Sequence, residues 1–142
     1  MEAASAKEDY MAPSVYYDER SVAFFKAYKK ALSRKDIHSH NEALLAAISS
    51  PANRFWVSVF QAYRYILLYK KGVMPSSASK RKLVSDLYVE YERLAGRSMF
   101  SGCSTFFIVQ FAVGMPAPEF YMSYRTARRI IERMRHDKRQ NK

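Results

Sequence analysis

Six arginines near the C-terminus, Arg125, Arg128, Arg129, Arg133, Arg135 and Arg139, recur at steps of one to four residues, with Glu132 and Asp137 as the acidic residues among them. At helical spacing, Ala127, Ile130, Ile131 and Met134 fall on one stripe and the arginines cover the opposite side. The arginine fork matches phosphate oxygens and the guanine edge, so the chemistry expected of this face is nucleic-acid binding. The other readings are a solvated face, a face for an acidic protein, or one for anionic lipid. Lipid is weakened by the lack of Trp, Phe or Leu on the apolar stripe.

Charge supports a polyanionic partner. The chain carries a formal +11 and a pI near 9.8, which attracts phosphate over several ångströms. It is unevenly spread: Glu2, Glu8, Asp9, Asp18 and Glu19 lie in the first twenty residues, whereas the last twenty hold eight Lys or Arg. Lys26, Lys29 and Lys30, expected on the solvent side of an early helix, extend the basic patch.

Signals for catalysis are poor. His38, His40, His136 and Cys103 share no metal-ligand spacing, and four glycines form no phosphate-cradling loop. No enzyme activity, metal or cofactor is expected. The single cysteine excludes an intramolecular disulfide, and the absence of a charged-then-apolar leader predicts a cytoplasmic location. The longest near-continuous apolar run, 106–113, is far shorter than the roughly 20 residues of a membrane span.

The elements that position these residues come from a repeat. Residues 51–66 (PANRFWVSVFQAYRYI) return as 116–131 (PAPEFYMSYRTARRII), with seven of sixteen positions identical at one gapless offset. An aromatic follows the shared Phe55 and Phe120, giving Trp56 and Tyr121. Beside basic residues such rings can stack on bases, but before a helix cap they are expected to pack. Ser58 and Ser123 read as helix N-caps, and Arg64 and Arg129 as partners of a carboxylate in their own half or of a phosphate.

The period predicts an all-α fold of six helices in two tandem, related, helix-turn-helix-like three-helix units. Residues 1–17 read as a flexible tail, 18–72 as the first unit, 73–79 as a linker, 80–138 as the second unit and 139–142 as a basic tail. In the first helix Val22, Phe25, Tyr28 and Leu32 form the expected stripe, widened by Phe24 and Ala31, with Asp18 or Ser21 as cap. Ser39 and Glu42 spell a capping box for a short helix over 41–49. The third helix, capped by Ser58 and running to Lys70-Lys71-Gly72, is apolar all round and predicted to be central, with Trp56 buried beside it. Ser79 is expected to begin the fourth helix, carrying Leu83, Val84, Leu87, Tyr88, Tyr91 and Leu94, and Gly96 to stop it. Aligning Tyr91 with Tyr28 leaves a two-residue insertion before the second turn. A short apolar helix from Ser104 to Val113 and a last one over 124–137 complete the plan.

The paired segments SPANRFWVS (50–58) and MPAPEFYMS (115–123) resemble those of a family of short uncharacterised bacterial and phage or mobile-element proteins. The resemblance covers about residues 20–135, implies a prokaryotic or phage origin and transfers no functional residue. Asn53 departs from the second Pro of the early motif. The function expected is that of a nucleic-acid-binding accessory protein, DNA or RNA being undecided. The alternative is an assembly subunit of a phage or mobile element that contacts an acidic protein or forms a homodimer.

Overall fold

A computed structural model describes residues 18–140, with side chains described through Asp137. Six α-helices and no strand occur among the described residues: α1 (Glu19–Leu32), α2 (His40–Ile48), α3 (Val59–Lys70), α4 (Ala78–Ala95), α5 (Thr105–Ala112) and α6 (Tyr124–Gln140). A 3-10 turn over Ser98–Phe100, not foreseen from the period, precedes α5. None of these helices is long and apolar enough to cross a membrane.

Local chemistry sets the helix starts. Asp18, Ser58 and Ser104 accept from the backbone N–H groups of Ser21, Gln61 and Phe107, satisfying donors the first turn leaves unpaired. Ser39 does the same for Glu42, whose carboxylate reaches back to the His38 N–H at 2.6 Å, one residue earlier than a standard capping box. The cap of α4 is Ser77, which accepts from Lys80 N–H, so Ser79 lies inside the helix and the linker is shorter than expected. Gly72 closes α3 with φ +82°, a conformation that side-chain-bearing residues resist.

Two buried faces differ from the periodic reading. In α1 the core face is Ser21, Phe24, Tyr28 and Ala31, while Val22 and Leu32 are exposed. The face through Phe25 also carries Lys29, whose ammonium stands 5.0 Å over the Phe25 ring, and a helix turns inward the side that strands no charge. Nor is α3 surrounded. It packs against α4 and α5, buries Ala62 and Ile66, and leaves Phe60 and Leu67 exposed. Trp56 is half-buried, its indole 4.9 Å from the Arg54 guanidinium, which in turn donates to the Phe55 and Val57 carbonyls.

Two units follow from the contacts, and each draws helices from both halves of the sequence. One comprises α1, α2 up to Ala47, and α6, and the other runs from Ile48 to Ser123 with α3, α4 and α5. Within the first, α1 packs on α6, and Phe24, Tyr28, Ala43, Leu44, Ala127 and Ile131 are buried. Within the second, α4 contributes Leu83, Val84, Leu87, Tyr91 and Leu94 to the core, as its period predicts.

The second unit also holds both copies of the turn, and they bond to each other. Ala52 and Ala117 exchange N–H···O bonds of 2.9 Å in each direction. Phe55 N–H donates to the Val113 carbonyl at 2.9 Å, and Phe120 N–H to the Ile48 carbonyl at 3.1 Å. Each of these four partners stands 65 positions from its counterpart. Phe55 and Phe120 are both in the core, so they are not free to stack on bases.

Candidate nucleic-acid interface

The face of α6 is set by which of its residues can be buried. Ala127, Ile131 and Met134 point inward, Ile130 is half-buried, and Arg125, Arg128, Arg129, Arg133 and Arg135 are exposed. The side chain of Arg139 lies outside the described residues. No acidic residue occupies the first turn of α6, so Arg125 and Arg128 sit near the positive end of the helix dipole.

The arginines differ in what holds them. Arg128 Nε donates to Glu132 Oε2 at 2.9 Å, an exposed i,i+4 pair. Arg135 lies near Tyr28, whose hydroxyl is 2.5 Å from His40 Nδ1. Burial pushes the Tyr28 pKa up, and the nearby guanidinium opposes that shift. By contrast, Arg125, Arg129 and Arg133 make no hydrogen bond or ion pair among the described residues. At i, i+4 and i+8 they form one ridge, and like charges at that spacing cost an isolated helix about 0.2–0.5 kcal/mol per pair.

Lys26, Lys29 and Lys30 are exposed on α1, in the same unit as α6. α1 packs on α6. Arg64, matched to Arg129, is also exposed and makes no ion pair with a carboxylate among the described residues.

The period places Tyr28 in the core but gives no sign of the polar group that meets its hydroxyl. The second unit repeats the arrangement: Tyr91 Oη accepts from Lys70 Nζ at 3.2 Å and lies 3.3 Å from Thr105 Oγ1. Lys70 and Arg135 are 65 apart, as are Thr105 and His40. A cation one helical turn beyond the repeated segment, at the same offset, was the signal available.

Tyr121 is tied elsewhere. Its backbone has φ 53°, its ring stacks on Phe55 at 6.1 Å, and its hydroxyl donates to Asp86 Oδ2 at 2.6 Å. Burial, then the Asp86 hydrogen bond and charge, push its pKa well above the ordinary tyrosine range. No group of three His, Cys, Asp or Glu able to hold a metal occurs among the described residues.

Comparison of the chain with protein-family models, with curated proteins and with solved structures finds no match.

Proposed function

We propose that the chain is a nucleic-acid-binding accessory protein that contacts phosphates through α6, acting in the cytoplasm without catalysis or a cofactor. The observation that carries this reading is the ridge Arg125, Arg129 and Arg133: three exposed guanidiniums at helical spacing, with no partner among the described residues. A helix that sets like charges at i,i+4 and cations in its first turn is relieved by an anion laid along it. Regularly spaced phosphates are such an anion. Lys26, Lys29 and Lys30 add charge from α1.

The reading includes an origin by duplication of a three-helix unit, in keeping with the resemblance to phage and mobile-element proteins. Support comes from the reciprocal bonds of the two turns, from the serine caps Ser39 and Ser104, and from the matched Tyr28 and Tyr91 clusters. On this view each contact unit combines the first two helices of one half with the third helix of the other.

The test is binding of labelled duplex DNA, single-stranded DNA and RNA at varied salt, by the parent and by a variant with Arg125, Arg129 and Arg133 changed to Ala. Steep salt dependence that flattens in the variant supports the proposal. Absence of binding to all three at low salt overturns it. The assembly alternative is favoured by a separate feature, an exposed aromatic surface on the second unit.

A further inference from the structure

Residues 98–118 contain no Asp, Glu, Lys or Arg, although charged residues make up 26% of the chain and its net charge is +11. The stretch contains α5 and the turn before it, and it leaves large apolar side chains in solvent. Met99 is 73% exposed, Phe107 43% and Phe111 47%, and Phe60 on the adjoining α3 is 74% exposed. Ring contacts form two groups around α5, Phe107 with Phe111 at 5.2 Å and both with Phe100, and Phe60 with Phe106 at 5.5 Å.

The helical plan does not need these aromatics. At the offset of 65, Phe107 corresponds to Glu42, Phe106 to Asn41 and Phe60 to Arg125, and all three polar residues are exposed. This comparison rests on the duplication reading; the exposure itself does not. The same helix positions thus carry exposed polar side chains in one unit and aromatic rings in the other, of which Phe107 and Phe60 are exposed.

We propose that this aromatic surface pairs with a second copy of the chain. Two molecules of charge +11 repel, so the surface on which they can meet must be free of cations, and 98–118 is. Arg64, at i+4 from Phe60, confines the contact on α3 to its N-terminal end. At roughly 200 Å² per large side chain, the exposed fractions leave on the order of 500 Å² of apolar surface on each copy. A two-fold pairing would remove about 1,000 Å², the size at which specific dimers begin.

The experiment is sedimentation of the nuclease-treated full chain between about 1 and 100 μM in about 0.5 M salt, where polyanion bridging is suppressed. The parent is expected to pass from monomer to dimer, and more salt to favour the dimer by screening the repulsion. Phe107→Glu and Phe60→Arg each install the residue found at the matching position of the other unit. Each is expected to weaken the dimer at least tenfold while leaving helical content unchanged. A parent that stays monomeric throughout overturns the proposal, as does a dimer whose strength neither variant alters. Should one variant lose helical content, the other decides.

Discussion

Replacing Arg125, Arg129 and Arg133 together by Ala isolates the ridge, because it spares Arg128, paired with Glu132, and Arg135, whose charge bears on Tyr28. Alanine is the best helix former, and the change removes two like-charge i,i+4 pairs, so the melting temperature should not fall. Each phosphate neutralised on duplex DNA contributes about −0.9 to the slope of log K against log salt. Three lost contacts should therefore flatten the slope by about 2.7. Across a fourfold rise from about 50 to 200 mM salt, those contacts account for about 40-fold of the parent's loss of affinity. Fluorescence anisotropy with a labelled duplex reads both slopes, and circular dichroism checks the fold. An unchanged slope would mean that the phosphates lie elsewhere on the molecule, and the assignment to α6 would fail.

Arg129→Glu converts two repulsive i,i+4 pairs into attractive ones, against one attractive i,i+3 pair with Glu132 made repulsive, and should stabilise the protein by about 0.5 kcal/mol while weakening nucleic-acid binding, read by thermal melting beside anisotropy. Phe55→Ala, at a core position, should cost about 3–5 kcal/mol in denaturant unfolding. Phe60→Ala at an exposed one should stay within about 0.5 kcal/mol, and equal costs would contradict the burial pattern. Tyr28 and Tyr121 have pKa values raised above 10.0, and that of Tyr88 is pushed up to about 12, first by its hydrogen bond to Glu92. Groups whose folded pKa is raised stabilise the fold below the unfolded value, and that contribution is lost as pH rises through the folded one. Stability should hold to about pH 10 and then decline through pH 12 and above, and Tyr121→Phe should make the decline shallower in urea melts.

The helices were legible because their caps and periods are local. Ser58, Ser104 and Asp18 announce starts that backbone donors then use, and the stripe of α4 needs no knowledge of its neighbours. The exposed arginines of α6 were equally legible, since Ala127, Ile131 and Met134 leave one side of that helix to be wetted. What escaped the period was everything that depends on which neighbour arrives. Whether Phe24 or Phe25 faces the α1 core, and whether Phe60 on α3 is covered, is decided by packing partners remote in sequence. The matched copies of the turn could be read as a repeat, yet their bonding to each other could not. An isolated N–H···O pair leaves no composition signal, and Ala52 meets Ala117 across 65 residues. The sequence by itself determined the helices, the basic balance and the repeat, because each is written in near neighbours. Tertiary structure alone decided that the helices associate across the two halves, that the Tyr28 hydroxyl meets His40, and that an uncharged aromatic surface stays open to solvent.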